Sequence, residues 1–166
     1  TGMVIEGKAG FQIMGDWAKG EFTAAGKTPG VDYYCASTPS NNGYLYNVDS
    51  FIFYKTDDPD KVEGQKLLAK LMMGKNFQKV FNLYKGSIPA RLDVPMDEFD
   101  DCAKASNADI KTAGESGGLV PSFAHGMAQG NTMKAALQDV ITEHFNSDMS
   151  SVDAANALAD SVLANM

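Results

Sequence analysis

The sequence has no long apolar stretch, few metal-binding side chains and an excess of acidic over basic residues. No run of about eighteen apolar residues occurs, so no helical membrane span is predicted. The two cysteines, Cys35 and Cys102, are far apart and match no metal-ligand spacing. The net charge of −7 argues against nucleic acid or an anionic membrane surface as the main partner.

Motifs of the common enzyme classes are also missing. The chain contains no Gly-x-Ser-x-Gly, no phosphate-binding loop, no His-Glu-x-x-His and no Cys-x-x-Cys. Paired carboxylates could still hydrolyse a glycoside, with Asp16 and Asp49 as the acidic residues. No pattern places these two across a scissile bond, so a carbohydrate-active enzyme is kept as an alternative to a binding function.

The chain does have enough apolar residues to fold. Its 166 residues are 44% hydrophobic, which suffices for one sizeable core or two small ones. It begins at Thr1 without an initiator methionine or a signal-peptide pattern. This start predicts a processed chain or a fragment of a longer protein. A fragment without a ligand of its own is therefore a second alternative.

The first third of the chain predicts strands. Residues 8–17 alternate through Phe11, Ile13 and Gly15 and lead to a Gly-Asp-Trp corner. Residues 31–36 and 45–54 are rich in aromatic and apolar side chains and predict two further strands. Residues 37–43 between them predict a loop.

Helices are predicted from Asp58 onwards. Asp58 can cap a helix whose first position is Pro59, and Gly74 separates it from a second helix capped by Asn76. Gly86 stops this second helix and leaves Lys85 in its last turn, where the helix dipole favours a cation. Three later helices are predicted to begin at Asp97, at about Ser122 and after a cap at Ser151. The pattern predicts a mixed α/β fold.

Five polar or aromatic residues could together bind a polyhydroxylated ligand. Asn47 and Asp49 alternate along a predicted strand, so their side chains point to one face. Trp17 offers an apolar ring face, and Lys85 and His125 offer donors for hydroxyl groups. Structural roles are the alternatives: a buried polar network for Asn47 and Asp49, a capping charge for Lys85, and a structural histidine.

Several segments, in this order and spacing, resemble the family 1 extracellular solute-binding proteins, the sugar-binding components of bacterial ABC importers. Together they are most similar to the periplasmic glucose/mannose-binding subgroup. The segments are 7–18 (Gly-Lys-Ala-Gly-Phe-Gln-Ile-Met-Gly-Asp-Trp-Ala), 46–51 (Tyr-Asn-Val-Asp-Ser-Phe), 80–91 (beginning Val-Phe-Asn and ending Pro-Ala-Arg), 99–103 (Phe-Asp-Asp-Cys-Ala) and 120–128 (Val-Pro-Ser-Phe-Ala-His-Gly-Met-Ala).

The resemblance implies a ligand set. By similarity to the subgroup, the sugar is bound by Trp17, Asn47, Asp49, Lys85 and His125, the same five residues that the chemistry selects. Asp16 and Arg91 are weaker candidates, with structural roles expected. No catalytic residue, cofactor or metal is implied. The expected partners are a monosaccharide and the permease subunits of an ABC transporter, with no nucleic acid and only peripheral contact with the membrane.

The resemblance also implies an architecture. It covers about the C-terminal half of a type II periplasmic-binding-protein-like fold, in which two lobes close over the sugar at a hinge. Residues 1–33 and 90–166 are expected in the C-terminal lobe, and residues 36–89 in the N-terminal lobe. The intact protein is expected to be a periplasmic monomer, secreted with a signal peptide. A periplasmic location permits, without establishing, a Cys35–Cys102 disulfide.

Overall fold

The computed structural model describes residues 1–39 and 43–166. These form two compact units. The first comprises residues 1–44 and 48–118, and the second comprises residues 45–47 and 119–166. The predicted loop at 37–43 lies partly outside the described residues.

Helices account for most of the regular structure in the described part of the chain. The described residues include a two-stranded parallel sheet formed by residues 44–46 and 119–121. The backbone bonds from Tyr44 N–H to Gly118 O and from Ser122 N–H to Tyr46 O mark its two ends. The helices are α1 (Gly2–Ile5), α2 (Lys19–Ala24), α3 (Pro59–Met72), α4 (Lys75–Lys85), α5 (Asp101–Ser116), α6 (Asn131–Asn146) and α7 (Ser151–Ala164), with a 3-10 helix at Asp16–Ala18; the strands are β1 (Tyr44–Tyr46) and β2 (Leu119–Pro121). The mixed helix and sheet composition agrees with the predicted α/β class.

Helix boundaries follow local signals in the sequence. The Asp58 carboxylate accepts from the backbone N–H of Asp60 at 3.0 Å, and Pro59 occupies the first position of α3, as predicted. Gly86 ends α4 with a φ of 90°, which also confirms its predicted role. The predicted cap at Asn76 is wrong, because α4 already begins after Gly74.

Two later helices begin further along the chain than predicted. The start at Asp97 is wrong, since Asp100 caps α5 by accepting from Ala103 N–H at 2.8 Å. The start at about Ser122 is also wrong, because β2 and a series of turns precede α6. For α7 the cap is Ser150, one residue before the predicted Ser151.

The predicted strands are mostly absent among the described residues. Residues 8–15 belong to no strand, and residues 31–36 contribute a single bridge between Pro29 and Tyr33. Of residues 45–54 only the first two belong to β1. A strand requires a hydrogen-bonding partner, and β2 is the partner that the described chain supplies, for three residues.

The first unit has a small core. Val94, Phe99 and Ala103 form a buried cluster, against which Leu83, Ile88 and Met96 pack. Next to this cluster, a disulfide joins Cys35 to Cys102 across 67 residues of chain, with 5.6 Å between the two Cα atoms. The core therefore holds the end of α4 and the start of α5 together.

The second unit is built on the α6–α7 pair. Met133 on α6 and Ala154 on α7 are buried, and β2 and the last two residues of β1 belong to the same unit. No described helix, α6 and α7 included, is long and apolar enough to cross a membrane. The predicted lobe boundaries, at residues 33, 36, 89 and 90, and the two-lobe fold itself stay predictions.

Candidate functional site

Lys85 and Asp49 form a direct ion pair at the C-terminal end of α4. The Lys85 ammonium donates to Asp49 Oδ2 and lies 5.8 Å from the centre of the Phe81 ring. Both side chains remain partly exposed, Lys85 by 31% and Asp49 by 64%. An ammonium has three donors and a carboxylate has about four acceptor positions, so the paired side chains can also form hydrogen bonds to a ligand. The structure thus brings together two of the five predicted residues.

A close backbone contact with α2 determines the position of the C-terminal end of α4, and with it the position of Lys85. A Cβ on Gly20, in α2, would lie 2.6 Å from the Lys85 carbonyl oxygen. A Cβ on Gly86 would lie 2.4 Å from the Gly20 nitrogen. Real side chains essentially never approach so closely, so both positions require glycine. The start of α2 therefore limits where Lys85 can lie.

Trp17 lies in the 3-10 helix that precedes α2 and is half-buried. Its ring packs over Gly15, where an added Cβ would lie 2.1 Å from the indole. A side chain at position 15 would therefore displace the tryptophan ring. A flat apolar ring of this kind can serve as a platform for an apolar ligand surface.

Asp16 has a structural role in this arrangement. Its Oδ2 accepts from the backbone N–H of Ile88 at 2.8 Å, which ties the segment after α4 to the 3-10 helix. Burial raises the pKa of Asp16, although the Ile88 N–H and the Lys19 ammonium oppose this shift. Arg91 is also engaged within the protein, since its guanidinium binds both oxygens of Asp93 at 2.8 Å. These contacts agree with the structural roles expected for Asp16 and Arg91.

The other two predicted residues belong to the second unit. His125 lies in the turns after β2, where its Nδ1 is 2.7 Å from the hydroxyl of the buried Ser122. The backbone N–H of His125 donates to the same hydroxyl oxygen at 3.4 Å. In the neutral tautomer with its proton on Nε2, Nδ1 accepts from the Ser122 hydroxyl and Nε2 is a donor. Asn47 follows β1 directly and is half-buried.

Sequence analysis missed two features near these residues. Ser122 orients the His125 ring. Its position three residues before the histidine is the sequence signal from which this contact could have been predicted. Lys19 is buried and binds both oxygens of Asp100 at 2.9 and 2.8 Å, which fixes the start of α2 against the start of α5. No local pattern could reveal a contact between residues 81 positions apart. Among the described residues no cluster of acidic, histidine and cysteine side chains could hold a metal ion.

Sequence comparison finds several similar proteins, although no protein-family model matches the chain. A probable sugar-binding periplasmic protein of Brucella suis is 47% identical over 98% of this chain. A protein of the same description from Rhizobium meliloti is 44% identical, also over 98% of this chain. An uncharacterised ABC transporter extracellular-binding protein of Pyrococcus horikoshii is 34% identical over 85%.

The chain spans much less than the full length of these relatives. It covers 38% of the Brucella suis protein, 39% of the Rhizobium meliloti protein and 31% of the Pyrococcus horikoshii protein. The first two are named periplasmic proteins, and the predicted periplasmic location is thereby confirmed. The Cys35–Cys102 disulfide fits this oxidising compartment.

Proposed function

We propose that this chain is part of the sugar-binding component of a bacterial ABC importer. Its ligand would be a glucose- or mannose-type hexose, which the intact, monomeric protein would deliver to membrane permeases by hinge closure. The chain would form the C-terminal portion of a type II two-lobe fold. The structural observation that carries the proposal is the Lys85–Asp49 pair, and similarity to proteins named sugar-binding supports it.

Each proposed ligand residue has a role that its surroundings support. In the first unit, Trp17 would stack against the C–H face of the sugar, and the Lys85–Asp49 pair would donate to and accept from its hydroxyls. In the second unit, Asn47 would bind a hydroxyl with its amide, and His125 would donate from Nε2. Hydrogen bonds to charged groups contribute about 1.5–3 kcal/mol each, so Lys85 and Asp49 would dominate the affinity.

A binding function is favoured over catalysis. The raised pKa of Asp16 would suit a general acid, but its Oδ2 already accepts from Ile88 N–H. Asp49 accepts from the Lys85 ammonium, and a carboxylate is acceptor-only. The relatives are named binding proteins, which also supports a non-enzymatic role.

Calorimetric titration tests the proposal. The protein to use is a chimera in which this chain replaces the 163 matched residues of the Brucella suis relative, since the relative is longer. We expect glucose or mannose to bind with about micromolar affinity, near −8 kcal/mol. Lys85→Ala should weaken binding by about tenfold to a hundredfold, because a charge-assisted hydrogen bond is lost.

Matched controls separate a ligand contact from a change in charge. Lys79→Ala removes another paired lysine of α4, the partner of Glu98 at 2.7 Å, and should leave sugar affinity unchanged. His144→Ala is the corresponding control for His125→Ala, since His144 contacts the Met149 carbonyl at the end of α6. Equal affinity in the parent, Lys85→Ala and His125→Ala proteins would refute the assigned residues. No heat with glucose, mannose or galactose would refute the proposed ligand.

A further inference from the structure

Phe81 lies beside Lys85 at the C-terminal end of α4. Phe77, Phe81 and Lys85 follow one another at intervals of four residues, so they lie along one face of the helix. The Phe77 and Phe81 rings are stacked, with 5.5 Å between their centroids and 13° between their planes. The Lys85 ammonium lies over the Phe81 ring, 5.8 Å from its centroid. Phe81 therefore contacts the proposed ligand lysine directly.

Phe81 also contacts the segment that carries Asp49. Phe51 follows Asp49 by two residues, and its ring meets the Phe81 ring edge to face, with 6.5 Å between the centroids and 65° between the planes. Residues 47–54 belong to no helix or strand, so their placement depends on tertiary contacts such as this one. One aromatic ring thus touches Lys85 itself and the chain next to Asp49.

A lysine needs contacts of this kind if it is to meet a ligand from a fixed place. Its ammonium lies at the end of a flexible stem, and ordering that stem costs conformational entropy. The ion pair with Asp49 orders it only weakly, because the side chains of Lys85 and Asp49 are 31% and 64% exposed. The face of an aromatic ring attracts an ammonium that lies within about 6 Å. Because a donor that is already oriented loses less entropy when its ligand arrives, the ring contact can raise affinity without touching the ligand.

We propose that Phe81 is a positioning residue of the sugar site. Its ring holds the Lys85 ammonium directly and the segment of Asp49 through Phe51, so that a donor and an acceptor are oriented together. The inference rests on the proposed function for the identity of the ligand, whereas the ring contact itself is independent of sugar. If Phe81 served only the packing of α4, an aliphatic side chain of similar size would replace it without loss of affinity.

Three substitutions in the chimera with the Brucella suis protein separate positioning from packing. Phe81→Leu keeps an apolar side chain but removes the ring, whereas Phe81→Tyr keeps the ring. Phe77→Leu is the matched control, because it removes another aromatic ring of α4, eight residues before Lys85. The melting temperature of each variant is measured first, and all other comparisons are made well below the lowest of them, so that each variant is folded.

Nuclear magnetic resonance without sugar tests the contact between Phe81 and Lys85. Protons above the face of an aromatic ring are shifted upfield by its ring current, so the Cε protons of Lys85 should be shifted in this direction. The Lys85→Ala variant identifies their signal by its loss. Phe81→Leu should return the signal to the usual position for lysine, whereas Phe81→Tyr and Phe77→Leu should leave it shifted. An unchanged signal in Phe81→Leu would overturn the proposal.

Calorimetric titration of the same variants with hexose tests the consequence for binding. Phe81→Leu should weaken binding by about threefold to tenfold, and Phe81→Tyr and Phe77→Leu should stay within about twofold of the parent. The factor for Phe81→Leu should be smaller in a Lys85→Ala background, because Phe81 acts in part through Lys85. Equal weakening by the two leucine substitutions, or equal factors in the two backgrounds, would overturn the proposal.

The two measurements distinguish failure of this inference from failure of the proposed function. If the parent binds hexose and Lys85→Ala weakens binding but Phe81→Leu does not, the positioning role of Phe81 alone is refuted. A parent that binds no hexose refutes the proposed function instead, and the Lys85 signal then decides whether the ring holds the ammonium.

Discussion

At the scale of single residues, the Lys19–Asp100 pair shows how a buried charge is accommodated. Lys19 is 6% exposed, and its ammonium lies between the two oxygens of Asp100. Burial disfavours the ionised Asp100 carboxylate, but hydrogen bonds from Lys19 and from Ala103 N–H outweigh this effect, so the pKa of Asp100 is lowered. The pair therefore links the start of α2 to the cap of α5.

We expect Lys19→Met to destabilise the protein. The substitution leaves Asp100 partly buried without its counter-ion. The free energy of unfolding should fall by about 2 kcal/mol, less than the 3–5 kcal/mol found for fully buried pairs, because the Asp100 side chain is about a third exposed. Urea denaturation at pH 7 measures the change.

The loss should disappear in acid. A carboxylate whose folded pKa is lowered stabilises the protein above its unfolded pKa, near 3.8, and loses that contribution as the pH falls through the folded pKa. The difference between parent and Lys19→Met should therefore shrink below about pH 4. Lys104→Ala, which breaks the exposed pair with Asp101, should change stability by less than about 0.5 kcal/mol. A pH-independent difference would contradict this explanation.

At the scale of elements, the contact between α2 and the end of α4 depends on two glycines. Gly86 needs its positive φ to end α4, and it also lies against the backbone of Gly20. Because Lys85 immediately precedes Gly86, the same contact determines where the proposed ligand lysine is placed. Stability and ligand binding should therefore change together when this contact is disturbed.

Gly86→Ala separates the two requirements when it is compared with Gly117→Ala. Both glycines end a helix with positive φ, 90° and 73°, but an added Cβ meets no atom within 4 Å at Gly117. Gly117→Ala should cost about 1 kcal/mol from backbone strain alone, and Gly86→Ala about 2 kcal/mol or more, since it also displaces α2. Thermal denaturation measures both.

Sugar affinity provides the second measurement for this pair. In the chimera, Gly86→Ala should weaken sugar binding because it moves Lys85, whereas Gly117→Ala should not. Equal stabilities and affinities for the two variants would show that the close approach has no such role.

The same elements show what the sequence could and could not predict. The start of α3 and the end of α4 depend on residues next to them, so Asp58, Pro59 and Gly86 predicted them. The strand predicted at 45–54 forms only at residues 45 and 46, since strand pairing with β2 depends on distant residues that no local pattern reveals. For the candidate site, side-chain chemistry selected Asp49 and Lys85 from the sequence. Their direct pairing joins positions 36 apart, so only the structure could reveal it.

At the scale of the whole chain, the Cys35–Cys102 disulfide is the covalent constraint that the structure adds. The sequence permitted this disulfide without establishing it. The bond closes a loop of 67 residues that contains α3 and α4, and its second cysteine lies in the first turn of α5 beside the buried Ala103. It therefore restricts the part of the unfolded chain that contains Asp49 and Lys85.

We expect removal of the disulfide to destabilise the first unit strongly. Closing a loop of this length removes unfolded-state entropy worth about 4 kcal/mol at 25 °C, a large fraction of the 5–15 kcal/mol typical of a folded domain. The variant Cys35→Ser/Cys102→Ser should therefore unfold at a much lower urea concentration than the parent. Adding a reductant should shift the parent to the midpoint of the variant and leave the variant unchanged. A parent whose midpoint does not respond to complete reduction would show that the bond contributes little, and the stability of the first unit would then rest on its small core and the Lys19–Asp100 pair.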